Sequence, residues 1–96
     1  MDLKQRTQLL TQTFRMLIDG ELAEASDGAT METVNPATGE TIAQFPAASN
    51  DDVDRAVQAA TIAQSAWGAL DTLERREHVL ALGNVLREHS EEFGAL

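Results

Sequence analysis

Two histidines, an aspartate-rich run at 51–54 and four serines are the side chains of this sequence best suited to chemistry. His78 and His89 fall on what the periodicity reads as a single helix, about 16 Å apart by helical rise, so they cannot share one metal ion. They read as solvated or partly buried histidines. Asp51, Asp52 and Asp54 offer hard oxygen ligands, but the loop glycine and distal glutamate of a calcium-binding loop are missing. Carboxylates at a helix start ordinarily serve as caps, and Asp51, Asp52 and Asp54 read so. Ser26, Ser49, Ser65 and Ser90 lack the strand–turn–helix setting of a nucleophilic serine. Without cysteine there is no thiolate nucleophile, disulfide or thiolate metal site. The glycines at 20, 28, 39, 68, 83 and 94 never reach the spacing that cradles a pyrophosphate. Trp67 reads as a core residue. Glu74-Arg75-Arg76-Glu77 reads as a charge-mixed first turn, and Glu88, Glu91 and Glu92 as an exposed face.

The framework for these residues is small. At 96 residues the chain is one small domain at most, and such a domain buries only roughly 60–65% of its unfolded surface. Its 16 Asp+Glu against 7 Lys+Arg leave a net charge of −9, spread evenly along the chain. There is no basic face to displace phosphate counterions or meet anionic lipid, so neither nucleic acid nor membrane is an expected partner. The first residues carry Asp2, Lys4 and Arg6 and no long apolar run, which argues against a signal peptide or a membrane span. The cytoplasm is the expected compartment.

Residues 1–13 read as a flexible lead-in and structure is expected from Phe14, with strands over about 14–46. Asp19-Gly20 between Phe14-Arg15-Met16-Leu17-Ile18 and Glu21-Leu22-Ala23 predicts a two-residue hairpin turn, in which both turn positions need positive φ. Asp27-Gly28 opens a second strand through Val34. Asn35-Pro36-Ala37-Thr38-Gly39 makes a tight connection to Thr41-Ile42-Ala43-Gln44-Phe45, which Pro46 ends. From Ser49 the period becomes helical. Val53, Ala56, Val57, Ala60, Ala63 and Trp67 share a face of a helix over about 50–68, capped by Ser49 with Asp52 three positions on. Asp71 and Glu74 cap a second helix over about 72–93, faced by Val79, Leu82, Leu86 and Phe93. Leu80, Gly83 and Val85 widen its apolar arc beyond what one alanine-rich helix covers, so a partner or further chain is expected against it. The ending at Gly94-Ala95-Leu96 reads as an interruption.

Three stretches, Leu17-Ile18-Asp19-Gly20-Glu21, Thr33-Val34-Asn35-Pro36-Ala37-Thr38-Gly39-Glu40 and Asp52-Val53-Asp54-Arg55-Ala56-Val57-Gln58-Ala59-Ala60, resemble the N-terminal region of the NAD(P)-dependent aldehyde dehydrogenase superfamily. The likeness continues through Ala66-Trp67 and Arg76 to Glu92, and covers about residues 14–96. It implies an α/β parent fold, of which this chain is an α+β N-terminal piece. A β-hairpin and short strands would be followed by two amphipathic helices of the Rossmann-like cofactor-binding domain. The parent reaction it implies oxidises an aldehyde to a carboxylic acid, by thiolate attack, hydride transfer to the nicotinamide and hydrolysis. The family's cysteine, general-base glutamate, oxyanion asparagine and nucleotide-binding segment have no counterpart in these residues. No catalytic or cofactor-binding residue is therefore assigned, and NAD or NADP is implied only for the full-length parent. The resemblance also implies backbone carbonyls of Thr33 and Val34 as ligands of a monovalent cation, in a site these residues do not complete.

Two functional expectations follow. In the first, the chain is an N-terminal fragment of such a dehydrogenase, inactive alone, with the remainder of the domain or another subunit as partner. In the second, it is a stand-alone acidic interaction module that docks through its apolar helix face on a dehydrogenase subunit or other protein.

Overall fold

The computed structural model describes residues 2, 4, 5, 8, 11 and 13–95. Most of the lead-in expected over 1–13, and Leu96 of the expected interruption, lie outside the described residues. The chain divides into two units, Thr11–Ile62 and Met1–Leu10 with Ala63–Leu96.

The first unit is built on two antiparallel hairpins. Strand β1 (Met16–Ile18) pairs with β2 (Glu21–Ala23), with Leu17 opposite Leu22. The turn between them places Asp19 at φ 55° and Gly20 at φ 76°. Positive φ at both central residues is the twist that matches a right-handed strand pair, as Asp-Gly predicts. Strand β3 (Thr30–Val34) pairs with β4 (Thr41–Pro46). The strand ends at Pro46, as expected, but includes it: Pro46 is its last paired residue, opposite Thr30. A strand end is where a residue without an N–H is tolerated, and the Ala47 N–H resumes bonding with the Ala29 carbonyl at 2.9 Å. The 35–40 connection is closed by Asn35 N–H to the Glu40 carbonyl (2.8 Å) and Gly39 N–H to the Asn35 carbonyl (2.7 Å). The Ala37 N–H donates to Asn35 Oδ1 at 2.9 Å, an Asx turn that explains why asparagine precedes the proline.

Helix α1 (Asn50–Ala69) follows. Among the described residues the buried side chains are Ala25, 6% exposed, and Asp52, 1% exposed. The best-buried group of this unit is thus a carboxylate, while Leu17, Leu22, Val57 and Ile62 stay exposed.

In the second unit, helix α2 (Thr72–Glu88) opens on a complete capping box. The Glu74 N–H donates to Asp71 Oδ1 at 2.9 Å and the Asp71 N–H to Glu74 Oε2 at 3.0 Å, so two donors at the helix start are satisfied reciprocally. The Arg75 guanidinium donates to the Leu70 carbonyl at 2.6 Å, fixing the chain just before the cap. The single helix expected over about 72–93 is divided at His89. With φ −102° and ψ 19°, His89 ends α2, and a short helix α3 (Ser90–Ala95) begins after it. A ψ some 60° from the helical value turns the next peptide out of the axis. The His89 carbonyl then accepts the Phe93 N–H at 3.1 Å, closing the first turn of α3. Val79, Leu82, Val85 and Leu86 of α2 are all exposed. The α+β class expected from the sequence is what the structure shows, as two two-stranded sheets and three helices among the described residues.

Candidate functional site

The densest polar constellation is in the first unit, around Asp52. Ser49 caps α1: its hydroxyl accepts the Asp52 N–H at 3.2 Å, and its own N–H donates to Asp52 Oδ2 at 2.9 Å. That much is a local capping box with aspartate in the glutamate position. The turn before β3 adds the Ser26 N–H, 3.1 and 3.3 Å from the two carboxylate oxygens. Arg55, one turn further along α1, donates to Oδ1 at 2.6 Å. The Ser26 and Ser49 hydroxyls are 2.9 Å apart. Donors from three chain positions therefore converge on one carboxylate and hold its pKa well below the usual range. The Ser49 N–H is the largest cause, then Arg55 and the Ser26 N–H.

This arrangement is a structural clasp. A general base needs a pKa near the working pH and a lone pair facing substrate; Asp52 has neither, and no histidine joins the two serines to form a nucleophile–base pair. The sequence reading found the cap but missed Ser26 and Arg55. The Asp52/Arg55 spacing of three was a visible signal; Ser26, 26 positions away, left none.

The other candidates are dispersed. Ser65 and Ser90 lie outside this cluster. Trp67, expected in a core, is 39% exposed, with its ring tilted 53° against His78 at 5.8 Å between centroids. Among the described residues no group of three His, Cys, Asp or Glu is placed to hold a metal ion, so Asp51 and Asp54 do not extend Asp52 into a cation site. Thr33 and Val34 are exposed on β3, where the pairing register shifts by one: Thr33 faces Ala43 and Val34 faces Thr41. The β-ladder is interrupted at the two residues whose carbonyls the family resemblance singles out.

His89 is paired with Glu92, Nδ1 to Oε1 at 2.8 Å. That hydrogen bond, the charge of Glu92 and then that of Glu88 raise its pKa above 6.5. Because the folded pKa is raised, the pair contributes stability in full below the unfolded value, and this is lost as pH rises through the folded one. In an NMR titration, the His89 ring should titrate above pH 6.5. Glu92→Gln should move that midpoint down; an unmoved midpoint would reject the pairing.

The family-level comparison matches residues 23–96 to the aldehyde dehydrogenase family. Among solved structures, an aldehyde dehydrogenase from Bacillus cereus is 35% identical with a TM-score of 0.84, covering 96% of this chain and 19% of its own. An NAD-dependent aldehyde dehydrogenase from Sinorhizobium meliloti is 31% identical with a TM-score of 0.83, covering 94% and 18%. PnpE from Pseudomonas sp. WBC-3 is 40% identical with a TM-score of 0.77, covering 84% and 17%; it has also been solved with nicotinamide adenine dinucleotide. The chain spans less than a fifth of the length of each of these structures.

Proposed function

Since the chain belongs to the aldehyde dehydrogenase family, we propose that it is the N-terminal segment of an NAD(P)-dependent aldehyde dehydrogenase, inactive by itself. The observation that carries this reading is the family match over residues 23–96 together with solved structures that match 96% of this chain along only 19% of their own length. The exposed apolar face of α2 supports it, because Val79, Leu82, Val85 and Leu86 on one helix call for covering chain.

The residues present do not fit a dinucleotide. No glycine-rich turn opens a helix, and the groove beside His89 is lined by Gln5, Glu88, Glu91 and Glu92, whose carboxylates would repel a pyrophosphate. The aldehyde-oxidising chemistry therefore belongs to other residues of a longer protein. The contribution of these residues is scaffolding: a clasped hairpin unit and an amphipathic helix for the remaining sheet to pack on. The expected compartment is the cytoplasm; no helix among the described residues is long and apolar enough to cross a membrane.

The test is the intact mass of the native protein, captured from its cells with an antibody to residues 14–96, together with NAD(P)H formation by the purified chain. The expected results are a mass several times that of 96 residues and no aldehyde-dependent absorbance change. A native mass equal to that of the chain would sink the reading and favour the stand-alone docking module.

The Thr33 and Val34 carbonyls are, on the same reading, two ligands of a monovalent cation completed elsewhere in the longer protein. Potassium titration of that protein should shift the Thr33–Asn35 amides saturably. Shifts spread over the surface, or none, would remove the site.

A further inference from the structure

The sequence contains two Asp-Gly pairs, Asp19-Gly20 and Asp27-Gly28, and the structure treats them differently. Asp-Gly is the dipeptide most open to attack of the backbone nitrogen on the preceding side-chain carboxyl, because glycine puts no Cβ in the way. At Asp27 both reacting groups are engaged. The Gly28 N–H donates to the Ala25 carbonyl at 2.9 Å, and Asp27 Oδ1 accepts the Ala29 N–H at 2.9 Å.

At Asp19 neither is held. Among the described residues the Gly20 N–H donates no turn hydrogen bond, and the Asp19 carboxylate has no partner. Arg55, the cation that lines the same groove as Asp19, is committed to Asp52 at 2.6 Å. Asp19 also stands at φ 55°, a region L-residues enter at a cost, whereas the space at the glycine is open at both sites and does not separate them.

We propose that Asp19 is a site of spontaneous isoaspartate formation and that Asp27 is protected. The Gly20 nitrogen bonds to Asp19 Cγ, and the N–H proton leaves with the carboxyl hydroxyl as water, closing a five-membered succinimide. Water then adds at the Asp19 main-chain carbonyl carbon and breaks its bond to the Gly20 nitrogen, so the chain runs on through Cγ. One water is lost and one gained, nothing is oxidised, and mass is unchanged. The extra main-chain carbon is incompatible with a two-residue turn, so the isomerised form loses the Leu17/Leu22 pairing of β1 and β2.

The experiment is to incubate the 96-residue chain for several weeks at neutral pH and physiological temperature, with a parallel sample in concentrated urea. Both are then mapped with a protease that cleaves before aspartate but not before isoaspartate. The native sample should become resistant at residue 19 several-fold faster than at residue 27, and urea should bring the two rates together. The Leu17/Leu22 cross-strand NOE should weaken in step with resistance at 19. Equal rates in native buffer, a faster rate at 27, or no resistance at 19 above the starting level would each overturn the proposal.

Discussion

Asp52→Asn is expected to destabilise the Thr11–Ile62 unit strongly, while Asp51→Asn, one position away on the exposed side of α1, leaves it within about 0.5 kcal/mol of the parent. The difference follows from what each carboxylate touches. Asp52 is 1% exposed and accepts from the Ser49 and Ser26 N–H groups and from Arg55. An amide in its place keeps one acceptor oxygen, turns an NH2 group toward backbone donors and leaves Arg55 without its counter-ion. Ser49→Ala gives the yardstick: it removes the cap hydroxyl with its contacts to Asp52 Oδ2 and the Ser26 hydroxyl but leaves the Ser49 and Ser26 N–H groups and Arg55 on the carboxylate, and roughly 0.5–2 kcal/mol is usual for losing a cap. The Asp52 variant should cost several times as much, because it also unties the Ser26 turn from the helix. Amide exchange of β3, β4 and α1 reads both. Comparable effects for Ser49→Ala and Asp52→Asn would mean that the clasp adds nothing to an ordinary cap.

The clasp also sets an acid limit. Since the folded pKa of Asp52 is depressed, its contribution is present in full above the unfolded value of 3.8 and is lost as pH falls toward the folded one. The stability gap between the parent chain and Asp52→Asn should therefore be constant from neutral pH to about 5, and narrow progressively as pH falls below about 4. A gap that stays open in acid would place the effect in packing rather than in the charge.

The second large effect depends on context. Leu82→Ala in the 96-residue chain should change stability by no more than about 0.5 kcal/mol, since exposed positions away from special features are near neutral and Leu82 is 62% exposed. The same substitution in the longer protein proposed above should cost roughly 2–5 kcal/mol, the range for truncating a buried leucine. Denaturant titration of both proteins measures the contrast. A neutral result in both would show that α2 keeps its apolar face uncovered in the longer protein, and the scaffolding role would fail. Equal large losses would show that this face is already buried in the 96-residue chain, and the contrast that the scaffolding role requires would fail.

How much was legible in the sequence depended on how far each signal reaches. The two-residue turn was readable because Asp19 and Gly20 must both take positive φ, a requirement met inside two residues. The caps at Ser49 and Asp71 were readable because a capping box is complete within four positions. The family was readable from short runs such as Asn35-Pro36-Ala37-Thr38-Gly39. The break at His89 was not, since the apolar periodicity of Val79, Leu82, Leu86 and Phe93 passes through it. Only the backbone dihedrals and the Glu92 contact reveal the turn.

The sequence by itself determined the local elements and their order, because turn φ, capping and apolar period are set by neighbours a few residues apart. Tertiary structure alone decided what Asp52 became. Residues 49–55 specify a helix cap with a nearby arginine, and that reading is complete without Ser26. Burial of the carboxylate requires the turn before β3 to fold back onto the helix start from 26 positions away, and no short-range pattern encodes a meeting of that kind.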